Sequence, residues 1–267
     1  MPAKGLRNAC EGRDVTVGLT AVLFDMDGLL VDTEPLWLET ETEVMSRLGA
    51  PWTPDDQHAL LGGSMERSVG YMLAKATRPV PPETVARWML DGMLARVRAG
   101  RVLVRPGARE LVAEVAAAGL PYALVTSSQR EFAEAVLDAT GIRFPVTVCG
   151  EDVTATKPDP EPYLLAVKLL DVDAGRCVAL EDSPSGVASA TAAGCRVVAV
   201  PSMVPIPPAP GRLVVASLAD VRLGALRAIA ALSSASILSL DPQPRSSAWR
   251  TTPRGRFGHS ARCDTME

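Results

Sequence analysis

Short apolar runs alternate with amphipathic segments along most of this chain, and each pattern predicts a different element. The apolar runs have the length and continuity of strands buried on both faces of a parallel sheet. The segments between them repeat apolar residues at helical spacing and end at glycines such as Gly119, Gly141 and Gly194. This β–α–β order is typical of a doubly wound α/β fold. The predicted strands are 20–25, 121–125, 145–149, 177–180, 195–200 and 213–216.

Residues 34–100 depart from this alternation, because they carry helical periodicity alone and no strand signal. The pattern predicts four helices, interrupted at Gly62-Gly63-Ser64. Gly49 and Gly100 follow two of them, as is usual at helix C-termini. Thr53 precedes a proline and is the predicted N-cap of the second helix. The predicted helices are Glu34–Leu48, a short helix from Pro54, Ser64–Lys75 and Pro82–Arg98.

The two ends of the chain differ in composition from the rest. We expect a flexible leader over residues 1–19, where the apolar core of a secretory signal is missing. Residues 232–267 are dominated by Ser, Pro and Arg and are expected to be a disordered tail.

Composition excludes several function classes. The 267 residues are 47% hydrophobic, enough for one large domain or two small ones. A net charge of −4 gives no electrostatic reason to expect nucleic acid or a membrane as partner. No apolar run approaches the roughly 18 residues of a membrane span. The five cysteines form no Cys-x-x-Cys pair, so we expect a reduced, zinc-free, cytoplasmic protein.

Asp25 and Asp27 follow the first predicted strand directly, and Gly28 comes after them. Side chains two residues apart on an extended chain point to the same side. Two neighbouring carboxylates repel each other, and a hard cation such as Mg²⁺ relieves that repulsion. Taken alone, this segment also fits a turn or a calcium-binding loop.

Polar residues also follow two other predicted strands, namely Thr126 and the pair Glu181-Asp182, while a loop carries Lys157. Open α/β sheets collect such residues in one crevice at the carboxyl ends of the strands. Carboxylates, a hydroxyl and one lysine suit a phosphate ester with Mg²⁺, bound near a helix N-terminus. Each segment alone also fits a structural role, as a strand-end hydroxyl, a loop or a helix cap. Ser128 and Glu131 have the spacing of a capping box for the next helix.

Four segments taken together resemble the motifs of the haloacid dehalogenase (HAD) superfamily, and in particular its β-phosphoglucomutase-like sugar phosphatases. The resemblance covers residues 20–220. It implies a Rossmann-like core formed by residues 20–33 and 104–225, with a helical cap at 34–103. The four segments are Asp25–Glu34, Val125–Ser127, Lys157–Pro160 and Glu181–Gly186.

The resemblance also implies roles for individual residues. Asp25 matches the nucleophile, which also binds Mg²⁺, and Asp27 matches the general acid and base, whose carbonyl binds the metal. Thr126 and Ser127 match the phosphate-binding motif, together with Lys157. Asp182 matches the remaining metal ligand, and Glu181 is either a ligand or a neighbour that supports one. The implied reaction is hydrolysis of a phosphate monoester through an aspartyl-phosphate.

The substrate is less well defined. β-Phosphoglucomutases have a histidine and an arginine where this chain has Trp37 and Met65, which weakens an interpretation as a mutase. The segment 34–37 instead resembles the 2-deoxyglucose-6-phosphate and hexitol-phosphate phosphatases. We expect a small phosphorylated metabolite, with an isomerase or a non-catalytic binding protein as alternatives, and a monomer or weak homodimer. Candidate cap contacts, or else a plain helix–helix turn, are Gly62, Gly63, Ser64 and Arg67.

Overall fold

A six-stranded parallel sheet forms the centre of the protein. The computed structural model describes residues 18–60 and 63–231. Strand β1 is central, and the order β5-β4-β1-β6-β7-β8 is that of a doubly wound sheet. A separate antiparallel pair is formed by β2 and β3. The strands are β1 Ala21–Phe24, β2 Val31–Asp32, β3 Leu103–Val104, β4 Tyr122–Val125, β5 Val146–Val148, β6 Cys177–Glu181, β7 Arg196–Ala199 and β8 Arg212–Val214.

Both faces of the sheet are buried, which explains why its strands are continuously apolar in sequence. Val22 and Phe24 of β1 contribute to one hydrophobic cluster, and Ala21 and Leu23 contribute to another. Helices α5, α6 and α9 cover the first face, and α7 and α8 cover the second. The helices are α1 Glu34–Leu48, α2 Pro54–Leu60, α3 Met65–Lys75, α4 Pro82–Arg98, α5 Ala108–Ala117, α6 Arg130–Thr140, α7 Glu161–Leu169, α8 Pro184–Ala192 and α9 Leu223–Ala231.

Helices α1 to α4 form a cap inserted between β1 and β4, so the predicted α/β fold with a helical insertion is confirmed. The cap has a hydrophobic cluster of its own, to which Met45, Met72 and Met89 contribute. The chain enters and leaves the cap through β2 and β3, where Val31 pairs with Val104. The sequence analysis missed this two-stranded ribbon, because two-residue strands carry no measurable periodicity.

Helix ends agree with the sequence at some positions and differ at others. α1 ends at Gly49, whose φ of 80° lies in the left-handed region, as predicted. The predicted N-cap Thr53 accepts a hydrogen bond from the amide of Asp56, and the Asp56 carboxylate accepts one in return. The predicted capping box of Ser128 and Glu131 does not form, because the Ser128 hydroxyl donates its hydrogen to Asp27 instead. α6 therefore begins at Arg130 without a side-chain cap.

The predicted terminal segments fall mostly outside the described residues, which begin at 18 and end at 231. Leu19, the last residue of the predicted leader, is buried in the first hydrophobic cluster. Helix α9 extends past residue 225, where the predicted core ends, and buries Leu226 and Ile229. None of the described helices has the length and apolar content that crossing a membrane requires.

Candidate active site

A cleft lies between the carboxyl edge of the sheet and the cap. Asp25, Thr126 and Asp182 reach it because they follow the neighbouring strands β1, β4 and β6. We call this side the core wall, to which Asp27, Ser127, Ser128, Lys157 and Ser202 also belong. The opposite side, here the cap wall, consists of Glu34, Trp37, Glu41, Gln57, Leu60, Gly63, Met65, Ser68 and Leu90.

Lys157 joins two carboxylates of the core at the base of the cleft. Its Nζ donates hydrogen bonds to Asp25 Oδ1 and Glu181 Oε1, both at 2.6 Å, and to the carbonyl of Val125 at 2.8 Å. All three donor positions of the ammonium group are thus used. The ammonium group and both carboxylates are nearly inaccessible to solvent, so solvent screens these ion pairs little.

Glu181 is saturated with hydrogen bonds and does not line the cleft. Tyr163 donates its hydroxyl hydrogen to Glu181 Oε1 at 2.7 Å, beside Lys157. Oε2 accepts from the amides of Asp182 and Ser183 and from the Ser183 hydroxyl. A Cβ atom on Gly186 would lie 1.9 Å from Oε1, which explains why the motif has glycine there. Glu181 therefore orients Lys157 from behind the cleft.

Asp27 is held by two hydroxyl groups. Thr33 donates to Oδ1 at 2.5 Å and Ser128 donates to Oδ2 at 2.8 Å. Thr33 precedes α1 but makes no side-chain cap for it, because its hydroxyl is used by Asp27. Asp27 is partly exposed in the cleft, whereas Asp25 is buried. The carboxyl group of Asp27 is thus accessible to a ligand and fixed in position.

Asp182 lies against the loop that follows β1. Ser202 donates its hydroxyl hydrogen to Asp182 Oδ2. Gly28 has a φ of 79°, and a Cβ atom there would lie 1.9 Å from the same oxygen. Only glycine adopts this backbone conformation readily and leaves room for the carboxylate. The glycine that follows Asp27 therefore allows Asp182 to approach Asp25.

The cleft carries more negative charge than its one described lysine neutralises. Burial raises the pKa of Asp25, and the nearby Lys157 opposes that shift. Burial, together with repulsion from Glu181, raises the pKa of Asp182 to about 8. Burial alone would lower the pKa of Lys157, but Asp25 and Glu181 outweigh it and raise the pKa. Lys157 therefore stays protonated.

The acidic residues fit a divalent cation. Oxygens of Asp25, Glu181 and Asp182 lie within 4.8 Å of one another, and all three residues are buried. Carboxylate oxygens are the ligands that Mg²⁺ prefers. Because Glu181 is saturated by other donors, Asp25 and Asp182 are the side chains available to such an ion. A cation there would offset the repulsion that raises the pKa of Asp182.

The structure brings most of the predicted site residues together. Asp25, Asp27, Thr126, Ser127, Lys157, Asp182 and Gly63 line one cleft. Ser64 instead caps α3 by accepting from the amide of Arg67, whose guanidinium donates to the carbonyl of Ala59. Ser64 and Arg67 are not among the lining residues. Gly62 lies outside the described residues.

Several residues at the site were not predicted, namely Thr33, Ser128, Tyr163, Ser202 and the acidic cap residues Glu34 and Glu41. Thr33 and Glu34 fall inside the first motif segment, so their position in the sequence already indicated that they lie near the site. Glu34 and Glu41 are seven residues apart on α1, a spacing that places them on one helix face. Ser202 and Tyr163 carry no sequence signal of their own.

Comparison with known proteins identifies the family. The model of the family described as haloacid dehalogenase-like hydrolase matches residues 22–200. The matched region covers all four motif segments and more than half of the chain. The chain therefore belongs to the haloacid dehalogenase-like hydrolases, and the membership predicted from its motifs is confirmed.

Curated relatives and a solved structure give finer points of comparison. The chain is 35% identical over 218 residues to hexitol phosphatase B of Escherichia coli K12, covering 80% of this chain and 95% of that protein. It is 37% identical over 179 residues to a phosphorylated carbohydrates phosphatase of Thermotoga maritima, covering 66% and 82%. A mutant of CbbY from Rhodobacter sphaeroides, in complex with xylulose-1,5-bisphosphate, is similar in structure. Its TM-score is 0.70 at 29% identity, covering 78% of this chain and 99% of that chain.

Proposed function

We propose that this hydrolase is a Mg²⁺-dependent phosphatase of small phosphate monoesters, with a sugar or polyol phosphate as substrate. The observation that carries the proposal is the core wall. There, a buried lysine, two carboxylates and a hydroxyl group meet at the ends of adjacent strands. Relatives named as phosphatases of hexitols and of phosphorylated carbohydrates support the substrate class.

Asp25 is the proposed nucleophile. Its Oδ1 is held by Lys157, and a carboxylate oxygen fixed in this way is oriented for attack on a phosphorus atom. Attack forms an aspartyl-phosphate and breaks the bond between phosphorus and the ester oxygen. Lys157 also provides positive charge near the phosphoryl oxygens, which stabilises the charge of the transition state.

Asp27 is the proposed proton carrier. Its carboxyl group gives a proton to the departing ester oxygen, which leaves as an alcohol. A water molecule then attacks the phosphorus of the aspartyl-phosphate, and the Asp27 carboxylate takes the proton from that water. Inorganic phosphate leaves, and Asp25 and Asp27 return to their starting states. The hydroxyl groups of Thr33 and Ser128 keep Asp27 in place through both steps.

Asp25, Asp182 and the backbone carbonyl of Asp27 are the proposed ligands of Mg²⁺. When bound, the ion withdraws charge from the phosphoryl oxygens and reduces their repulsion by the carboxylates. Thr126 lines the cleft and accepts from the amide of Ser128 at 3.1 Å, which leaves its hydroxyl hydrogen free for a phosphoryl oxygen. Ser127 lines the same part of the cleft and is the second proposed phosphate contact.

The direct test is phosphate release from a broad panel of phosphorylated metabolites, with Mg²⁺ and with EDTA. We expect Mg²⁺-dependent turnover that Asp25→Asn and Asp27→Asn each abolish, because an amide is neither the nucleophile nor a proton carrier. Both changes keep the shape of the side chain, so circular dichroism should be unchanged. Full activity of Asp25→Asn, or activity in EDTA, would contradict the proposal. Conversion of β-glucose 1-phosphate to glucose 6-phosphate would favour the mutase alternative.

A further inference from the structure

The cap wall carries two carboxylates on one face of α1. Glu34 and Glu41 are separated by seven residues, close to two helical turns, or about 10 Å along the axis. Both line the cleft. Thr33, which directly precedes Glu34, donates its hydroxyl hydrogen to Asp27, so Glu34 is at the end of α1 next to the catalytic carboxylates. Glu41 therefore lies towards the end of the cleft remote from Asp25.

Glu41 is buried but incompletely paired. It is 5% exposed, and its Oε2 accepts from Trp52 Nε1 at 3.1 Å. Its other carboxylate oxygen accepts no hydrogen bond from any residue that the structure describes. That oxygen is not fully enclosed by protein, and Glu41 lines the cleft. A hydroxyl group of a ligand in the cleft can therefore donate to it.

The same end of the cleft offers no positive charge. Among the lining residues at described positions, Lys157 is the single basic one, and it is held at the base by Asp25 and Glu181. Arg67, which directly precedes the lining residue Ser68, donates to the carbonyl of Ala59 instead. Burial raises the pKa of Glu41 to about 7, and no basic group opposes that shift. A second phosphate or a carboxylate placed here would face Glu34 and Glu41 without a positive charge from any described lining residue.

Apolar side chains of the cap and of the core also line the cleft. Trp37 of the cap and Phe132 of the core meet edge to face, with ring centroids 5.5 Å apart, and both line the cleft. Leu60 and Leu90 lie on the cap wall with them. Apolar surfaces with a few fixed polar groups are typical of sites for small neutral molecules. The C–H groups of a sugar or polyol can pack on the apolar surface, and its hydroxyl groups can donate hydrogen bonds to the carboxylates.

We propose that the cap wall binds the uncharged, hydroxyl-bearing end of a monophosphorylated sugar or polyol, with Glu41 as a hydroxyl acceptor, and disfavours bisphosphates. This inference rests on the proposed phosphatase function and narrows its substrate class. It separates the chain from the similar CbbY structure, whose ligand is a bisphosphate. Glu41 is a specificity residue in this proposal and takes no part in the chemical steps.

The test compares matched esters on the full chain with Mg²⁺. The monophosphates are glucitol 6-phosphate, glucose 6-phosphate and fructose 6-phosphate, and the bisphosphates are glucose 1,6-bisphosphate and fructose 1,6-bisphosphate. p-Nitrophenyl phosphate lacks hydroxyl groups that could reach Glu41 and reports on the core wall alone. We expect kcat/KM for the best monophosphate to exceed that for either bisphosphate at least about tenfold, since like charges repel in a desolvated cleft.

Glu41→Gln separates a specificity role from a structural one. The amide oxygen still accepts from Trp52, so the fold should be retained. At pH 8, above the pKa of about 7 for Glu41, we expect kcat/KM for the hydroxylated monophosphates to fall about tenfold, mainly through KM, since a charged acceptor is lost. Turnover of p-nitrophenyl phosphate should fall less than turnover of the hydroxylated monophosphates. Glu43→Gln is the matched control, because Glu43 is an exposed residue of the same helix paired with Arg96, and it should change neither.

The outcomes are distinguishable. A preference for bisphosphates, or an equal loss of p-nitrophenyl phosphate turnover in Glu41→Gln, would overturn this inference while leaving the phosphatase function standing. Absence of turnover with every ester, p-nitrophenyl phosphate included, would overturn the phosphatase function and this inference with it.

Discussion

The core wall and the cap wall of the cleft differ in how completely their charged groups are paired. On the core wall, Lys157 uses every donor position and both oxygens of Asp27 accept hydroxyl hydrogens. On the cap wall, Glu41 has one described partner. The core wall is thus held by hydrogen bonds within the protein, whereas one carboxylate oxygen of Glu41 remains available to a ligand.

This difference agrees with the proposed roles of the two walls, in which the core wall carries out the chemical steps and the cap wall recognises the substrate. Proton and phosphoryl transfer need groups held within a fraction of an ångström, which many hydrogen bonds provide. Recognition of hydroxyl groups needs acceptors left vacant in the free protein. Substitutions around the cleft test whether this difference in hydrogen bonding is matched by differences in the free energy of unfolding and in binding affinity.

Glu181→Ala should have the largest effect. The change removes one of the three acceptors of the buried Lys157 ammonium group and the acceptor of the buried Tyr163 hydroxyl. Breaking a buried ion pair from one side costs about 3–5 kcal/mol, so we expect a fall of that size in the free energy of unfolding. Urea denaturation of the metal-free protein measures it.

Glu134→Ala is the control for this loss, because Glu134 lies on α6, is 63% exposed and is 4.0 Å from Arg130. It should change the free energy of unfolding by less than about 0.5 kcal/mol. Equal effects of the two changes would mean that the network behind the core wall contributes no special stability.

Ser202→Ala should have an intermediate effect, seen in metal binding. The Ser202 hydroxyl lowers the pKa of Asp182 and orients its carboxylate. Residues that orient a metal ligand commonly contribute 10–100-fold to metal affinity. We therefore expect Mg²⁺ affinity to fall about tenfold at neutral pH, as measured by isothermal titration calorimetry. Unchanged Mg²⁺ affinity would mean either that Asp182 does not bind the ion or that Ser202 does not orient Asp182.

The pH dependence of that affinity has a definite sign. With its pKa raised to about 8 in the metal-free protein, Asp182 must lose a proton before it binds a cation. Mg²⁺ affinity should therefore rise with pH up to about 8 and level off above it. Without the hydroxyl of Ser202 the pKa rises further, so the plateau should begin at a higher pH. An affinity that does not vary below pH 8 would contradict this account.

Arg87→Ala should have the smallest effect. Arg87 of the cap pairs with Glu131 of α6 at 3.2 Å, and both side chains are about half exposed. Exposed ion pairs contribute about 0–1 kcal/mol, so the free energy of unfolding should change by less than about 1 kcal/mol. KM should change less than threefold, because the apolar contact of Trp37 with Phe132 also joins the cap to the core. A larger change in KM would make this ion pair a determinant of how the cap is held over the cleft.

The core wall could be predicted from the sequence because its residues follow apolar runs. Each run fixes a strand, and the ends of parallel strands meet at one edge. Asp25, Thr126 and Asp182 were found in this way, and the lysine loop was found by its motif. The element types were predicted for the same reason, since strands buried on both faces are continuously apolar.

Other contacts could not be predicted, because they depend on long-range geometry. Ser128 is 101 residues from Asp27 in sequence, and a local rule assigned it to a helix cap. Ser202 meets Asp182 only because β6 and β7 are neighbours in the sheet. Glu41 is three residues before Val44, so the pattern of α1 places it on the buried face of that helix. Its hydrogen bond with Trp52 and its place in the cleft depend on tertiary contacts that the pattern does not show.

The central claim is that the core wall carries out its chemistry through Asp25. Rapid acid quenching during turnover, followed by mass spectrometry of the peptides, tests it most directly. The account predicts one added phosphoryl group on Asp25, which accumulates in Asp27→Asn if the first step still proceeds, because the water that releases the phosphate then lacks its base. Turnover without phosphorylation of Asp25, or phosphorylation of another residue, would contradict the account.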